Sequence, residues 1–429
     1  MDRIDRLGSR QYGTVAGSPG GPTGSVRWCQ TVGLFLVLWL SSSRFSWGAL
    51  ARGDFFFATE YVYYQAATLG FNYPEFGAVR RGLGGTIVHW LGPAPLLSTI
   101  LFHLLSAAAV AATAAMAFHR QERRGWARTA FAMVMLVIML RWGDDAGRTD
   151  MLVAALLGAA ALCVQRGRAV RASLLVCIGL FVHESSFIFG LPLLAALLWQ
   201  RGGTSSLAPH QRRGIGGVFA ATLALYLGMA WLPHADIGTM VQVVRAKFEP
   251  HIHVEWAMYF ALSGLRGVQT SICQNLTDPS NWVHPASGLV VLAVAWGAAM
   301  GARRVGLGVA LLAALPGFVF LCVVANDTSR WAMFALFNLW LVAAALPTAS
   351  PSVAIPGRPF PNLQLLLALL LCALVLPRPA SISFRIYAPS PTLEWAVRKL
   401  GGARTPDIEE ALLRCDPNWR DVLDGKAAR

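Results

Sequence analysis

Long apolar runs recur along this chain with short loops between them, and the loops alternate in kind: arginines collect in every second one, while Asp, Glu and His collect in the others. An apolar run of roughly 17–25 residues crosses a hydrocarbon core as a helix, because no water is present there to satisfy an open backbone. The alternation therefore points to an all-α polytopic membrane protein with one charged, reactive face. With 55% hydrophobic residues, 14% charged residues and a mean hydropathy of +0.51, the chain lies far from the roughly 45–50% apolar and 25% charged of soluble domains. That excludes an ordinary soluble enzyme.

Eleven runs qualify as candidate spans: 31–48, 95–118, 129–142, 150–164, 172–182, 186–200, 214–232, 287–300, 307–325, 331–346 and 363–375. They divide the chain into a basic arm over 1–29 expected to be disordered and cytoplasmic, a membrane domain over 30–376, and an extracytoplasmic tail over 377–429. The stretch 172–200 reads as one long helix or as two helices broken at His183-Glu184-Ser185. Arg166, Arg168 and Arg171 precede it, and Arg201, Arg212 and Arg213 follow it. Positive charge stays on the cytoplasmic side, so both ends lie inside and the chain must go out and return. The same rule puts the Arg120 to Arg128 loop and Arg303-Arg304 inside.

The formal charge of +14 is concentrated in those inner loops, with no basic block interleaved with aromatics. Attraction to anionic lipid accounts for it better than nucleic acid does, and no nucleic-acid partner is expected. Of the seven cysteines, Cys163, Cys177, Cys322 and Cys372 lie within apolar runs and Cys29 at the inner edge. Cys273 and Cys415 fall outside, where a bridge between them would pin the tail to the large outer loop. Asn275-Leu-Thr277 and Asn326-Asp-Thr328 fit the glycosylation acceptor pattern, but an Ala- and Arg-rich composition suggests a bacterium, where they carry little meaning.

The outer loops and helix ends hold the chemistry-bearing residues. Asp54 and Glu60 follow the first span among Phe55, Phe56, Phe57, Tyr61, Tyr63 and Tyr64, a grouping suited to stacking a sugar and accepting its hydroxyls as well as to an interfacial belt. Arg80, Arg81, Arg148 and Arg330 each open or precede an apolar run on the outer side, and their planar forks suit phosphate or diphosphate oxygens. Gly82-Leu-Gly-Gly85-Thr86 offers either backbone amides for the same anion or a packing device. Ionised groups at a membrane face usually line a wet cavity, so Asp150, His183, Glu184, Asp327 and these arginines imply an outward-facing one. Asp144, Asp145 and Asp150 admit a divalent metal or a helix N-terminal acidic cap; no metal ligand is assigned.

The acid after the first span, the Glu75-to-Gly82 entry into an amphipathic stretch, Gly147-Arg148-x-Asp150 opening an apolar helix, and Phe181-x-His183-x-Ser185 followed by an apolar run with Pro192 resemble EpsG-type polysaccharide polymerases. These belong with the wider Wzy-like and GT-C-like membrane glycosyltransferases that use polyprenyl-linked sugars. The resemblance spans roughly residues 30–350, with Glu184 where the family commonly carries lysine. It implies a GT-C-like arrangement for the eleven or so helices that the apolar runs give, some of them short and broken. It also implies a transferase moving sugar from a polyprenyl phosphate or diphosphate donor to a glycan acceptor, in a bacterial inner membrane with the site facing the periplasm or exterior. On that reading Asp54 is the general base and His183 donates to a phosphate oxygen. Glu184 orients His183 or a sugar hydroxyl, and Glu60, Arg80, Arg81, Arg148, Asp150, Asp327 and Arg330 bind substrate. The alternative is a transporter of a lipid-linked or anionic solute, which should show matching broken helices in two halves.

Overall fold

A computed structural model describes residues 24–42, 68–92, 95–120, 125–144, 148–203, 207–248, 258–259, 262–277, 304–325, 328–345, 378–379, 387–388 and 408–424. Among these the architecture is helical, and the only strands are the two-residue antiparallel pair β1 (Arg378–Pro379) and β2 (Tyr387–Ala388). The first helices are α1 (Gly24–Ser42), α2 (Tyr73–Phe76), α3 (Gly82–Leu91), α4 (Pro95–Arg120) and α5 (Gly125–Asp144). Next come α6 (Asp150–Gln165), α7 (Ala169–Val182), α8 (Ser185–Gln200) and α9 (Pro209–Gly228). They are followed by α10 (Ile237–Phe248), α11 (Gly264–Thr277), α12 (Arg304–Val324) and α13 (Thr328–Ala345). Two short helices, α14 (Ile408–Cys415) and α15 (Trp419–Leu423), lie in the tail.

Nine of the expected apolar runs correspond to α1, α4 to α9, α12 and α13, while 287–300 and 363–375 lie outside the described residues. One described stretch, Leu97–Arg120 within α4, is long and apolar enough by itself to cross a membrane. The helices α6, α7 and α8 hold 16, 14 and 16 residues. At 1.5 Å per residue they reach only about 21–24 Å, under the ~30 Å of a hydrocarbon core. Helix α1 starts at Gly24, so the last residues of the arm expected to be disordered are helical.

The helices pack around α13, which is apolar on all sides and buried from Trp331 to Ala343, as a helix enclosed by others must be. Aromatic rings stack along it: Phe131 on Trp340 at 4.4 Å between centroids, and Phe189 on Phe334 at 5.3 Å. Within that buried stretch Asn338 donates to the carbonyls of Phe189 at 2.9 Å and Ala313 at 2.8 Å, joining α8 and α12 through α13. Small residues allow the close approaches. A Cβ at Gly190 would meet Val176 Cγ1 at 2.6 Å, and one at Gly317 would meet Phe189 Cδ1 at 2.9 Å.

The arginine loops come together at one end of the bundle. Arg201 donates to the Val164 carbonyl, Gln211 donates to the Gly167 carbonyl at 3.3 Å, and Thr31 meets His119 Nε2 at 2.9 Å. The opposite end carries a second apolar core outside the bundle. There Phe76, Val79, Val241 and Tyr259 pack with Leu412, Trp419 and Val422 of the tail. The Cys273–Cys415 disulfide joins α11 to α14 beside it, with the two Cα atoms 5.8 Å apart. Part of the segment between α9 and α12 and part of the tail therefore fold as one small subdomain.

Candidate functional site

The break between α7 and α8 is built locally. His183 takes an extended conformation (φ −166°, ψ 138°), which ends α7 after Val182, and its amide still closes on the Gly179 carbonyl at 2.8 Å. The next helix begins at once, with the Ser186 amide donating to the His183 carbonyl at 3.0 Å and the Ser186 hydroxyl to the Val176 carbonyl at 3.2 Å. Gly179 leaves room for that hydroxyl, since a Cβ there would collide with it. His183 and Glu184 are thereby fixed at a tight corner at the end of the bundle away from the arginine loops. The stretch 172–200 is two helices.

Glu184 is the hub of the corner. Arg80 Nε donates to its Oε1 at 2.5 Å, Arg81 Nε to its Oε2 at 2.6 Å, and the Tyr226 hydroxyl to Oε1 at 2.8 Å. Burial raises its proton affinity, but the Arg81 and Arg80 guanidiniums outweigh that and hold it well below the usual carboxylate range. His183 Nδ1 accepts from the Ser185 amide at 3.1 Å, so in the neutral ring Nε2 carries the proton. Burial, then the Arg81 and Arg330 charges, keep His183 well below the ordinary imidazole value of 6.5, so it is neutral at pH 7. Glu184, expected to orient His183 or a sugar hydroxyl, makes no hydrogen bond to His183. His183 Nδ1 and Glu184 Oε2 are 3.8 Å apart, beyond hydrogen-bond reach, and Nδ1 is already taken by the backbone. Glu184 instead organises the two arginines.

A second ion pair flanks the first. Arg330, in the first turn of α13, grips Asp150, the first residue of α6, through Nε on Oδ2 at 2.5 Å and Nη2 on Oδ1. Both side chains are buried, at 9% and 4% exposed. The Arg330 guanidinium lies 4.7 Å from the Trp331 ring centre, and Trp331 lies 6.2 Å from the His183 ring. Arg148, two residues before Asp150, is also buried. Among these described side chains, Arg80, Arg81 and Arg330 face two carboxylates, Asp150 and Glu184, leaving the paired groups one positive charge in excess.

The segment entering the site is strained. Arg81 has φ 60° and ψ 18°, the only left-handed conformation at a non-glycine position among the described residues. Such a conformation costs on the order of 1–3 kcal/mol and survives only where its surroundings hold it. The glycines after it serve packing. A Cβ at Gly82 would lie 2.5 Å from the Tyr73 ring, and one at Gly85 would run into the Phe71 carbonyl. Close approach of α3 to residues 69–73 thus gives Gly82 and Gly85 a packing role.

The fold brings together Arg80, Arg81, Asp150, His183, Glu184 and Arg330, which are spread over some 250 residues of sequence. Asp54, Glu60, Asp145 and Asp327 lie outside the described residues, as does the Asp144 side chain. Among the described residues no three His, Cys, Asp or Glu side chains group to hold a metal, and Asp150 is occupied by Arg330. Tyr226 and Trp331 were not anticipated. Tyr226 lies inside the run 214–232 and Trp331 opens the run 331–346, and an aromatic within an apolar run carries no sequence signal that marks it as a partner of the site. Asn275 is also reassigned. It is 2% exposed, and its amide caps the carbonyls of Cys322 and Val323 at 3.2 and 3.0 Å at the end of α12, so it is not an open acceptor for a glycan. No family model, no curated protein and no solved structure matches this chain.

Proposed function

We propose that this chain is a multi-pass membrane glycosyltransferase or glycan polymerase. It would transfer sugar from a polyprenyl-phosphate or diphosphate donor to a glycan acceptor at the non-cytoplasmic face. The observation that carries the proposal is the corner at His183 and Glu184. A neutral histidine with a proton on Nε2 stands beside three arginines that two carboxylates hold in fixed orientations. Preorganised guanidiniums of this kind suit a phosphate whose charge grows as a glycosidic bond breaks. The likeness of these residues to EpsG-type, Wzy-like and GT-C-like enzymes points the same way.

Several features support the membrane reading. Leu105, Leu223, Leu227 and Phe320 are exposed on helix faces, as lipid-facing side chains are. Exposed tryptophans mark both ends: Trp199 at the arginine end, and Trp90 and Trp231 at the other. The disulfide lies with the site, on the face opposite the arginine loops, which agrees with an oxidising exterior.

In the proposed reaction Arg80, Arg81 and Arg330 orient the donor phosphate, and His183 Nε2–H donates to one of its oxygens. Asp54 takes the proton of the acceptor hydroxyl as the new glycosidic bond forms, and the lipid phosphate leaves. The test is transfer of labelled sugar from a polyprenyl-linked donor set to a broad acceptor set by the purified protein. Asp54→Asn should bind donor yet transfer roughly 10² slower or worse, the contribution of a positioned base. Wild-type protein that forms no product, or an Asp54→Asn variant that transfers at the wild-type rate, would refute the mechanism.

A further inference from the structure

The segment that delivers Arg80 and Arg81 is anchored to the C-terminal tail. Val79 and Phe76 are buried in the same core as Leu412, Trp419, Val422 and Leu423. Residues 76–78 pair with the chain entering α10, since the Ala78 amide donates to the Pro233 carbonyl at 3.2 Å and the Ala235 amide to the Phe76 carbonyl at 2.9 Å. Lys247 at the end of α10 closes on Glu75, and α10 itself packs against α15. The tail is fastened in turn. Cys415 is bridged to Cys273, Arg266 holds Asp416 with two bonds of 2.6 Å, and the Tyr259 hydroxyl adds a third at 2.6 Å. A continuous set of contacts runs from the disulfide to the residue before Arg80, and the strained conformation of Arg81 follows directly.

We propose that residues 408–424 form a positioning element for the Arg80–Arg81–Glu184 grip, with the Cys273–Cys415 bridge as its lock. The left-handed Arg81 is held from two sides, by the packing of α3 at Gly82 and Gly85 and by the tail core at Phe76 and Val79. Loosening the tail frees one side. Arg81 then relaxes toward an ordinary backbone conformation, and Glu184 loses the guanidiniums that fix it. The consequence for catalysis rests on the function proposed above, but the mechanical link does not.

The test is hydrogen exchange on the full chain in lipid nanodiscs, comparing the oxidised wild type, the same sample after reduction, Cys415→Ser and Trp419→Ala. Amides of residues 76–82 should exchange about tenfold faster or more once the tail is released, while those of α6 to α8 keep their protection, as expected of local and not global opening. The donor KM should rise with them. Unchanged exchange at 76–82 after reduction and in Cys415→Ser overturns the lock, and unchanged exchange in Trp419→Ala overturns the positioning role. Equal loss of protection in α6 to α8 also overturns it, because the tail would then support the whole bundle. Failure of the wild type to transfer sugar would sink the proposed reaction and leave the exchange result standing.

Discussion

Asp150 and Glu184 carry the same charge at the same end of the bundle, yet neutralising them should damage different properties. Asp150→Asn leaves the Arg330 guanidinium, only 9% exposed, facing a neutral amide. Breaking one side of a buried ion pair costs about 3–5 kcal/mol. Loss of an acid in the first turn of α6 adds about 0.3–1 kcal/mol through the helix dipole. Glu184→Gln removes the same charge, but its partners Arg80 and Arg81 are 32% and 30% exposed and can be rehydrated. That change should cost only about 1–2 kcal/mol, while impairing transfer because the arginine orientations relax. Equilibrium unfolding in mixed micelles, followed by circular dichroism, measures both. The pair Asp150→Leu with Arg330→Met, which removes both charges, should recover most of the loss, since an apolar replacement of a buried ion pair is often neutral. The reasoning fails if Glu184→Gln destabilises as much as Asp150→Asn, or if the double variant is no more stable than the single.

Three further outcomes are expected. Burial pushes the Asp416 carboxyl up, but the Arg266 and Tyr259 hydrogen bonds outweigh this and hold it below the ordinary 3.8. Its stabilisation of the tail should therefore be complete above about pH 3.8 and lost as pH falls through its lower native value. Trp419 fluorescence should report that acid release, and Asp416→Asn should abolish the step. Gly85→Ala must displace the Phe71 carbonyl or α3 and should cost about 1–3 kcal/mol. Gly216→Ala, where a Cβ meets nothing within 4 Å, should be neutral or stabilise by about 0.5–1 kcal/mol, and thermal unfolding of the two separates packing from propensity. With the unpaired cysteines removed, Gly203→Cys should resist an impermeant thiol reagent in intact cells and Leu265→Cys should react. The opposite labelling would overturn the orientation.

The sequence carried the helical class and the separation of two faces, because both follow from local chemistry. Apolar runs of helical length and the side on which arginine accumulates are readable without contacts, and the arginine loops do gather at one end. The break at His183 was visible as polar residues inside an apolar stretch flanked by arginines. The candidate residues Arg80, Arg81, Asp150, His183, Glu184 and Arg330 were also legible, since ionised groups beside apolar runs are conspicuous.

Their pairing was not legible, because it depends on which loops the packed bundle brings together. Arg80 and Glu184 are separated by 104 residues, and Asp150 and Arg330 by 180. The sequence left Glu184 to orient His183 or a sugar hydroxyl, whereas the corner backbone takes Nδ1 and the carboxylate meets the arginines. Tyr226 and Asn275 acquired roles only through α9 reaching Glu184 and α11 reaching the end of α12. Two outer cysteines allowed a bridge by compartment alone. Only the fold could set their Cα atoms 5.8 Å apart and place the tail against the segment that carries Arg80, since both depend on the order in which apolar surfaces find each other in space.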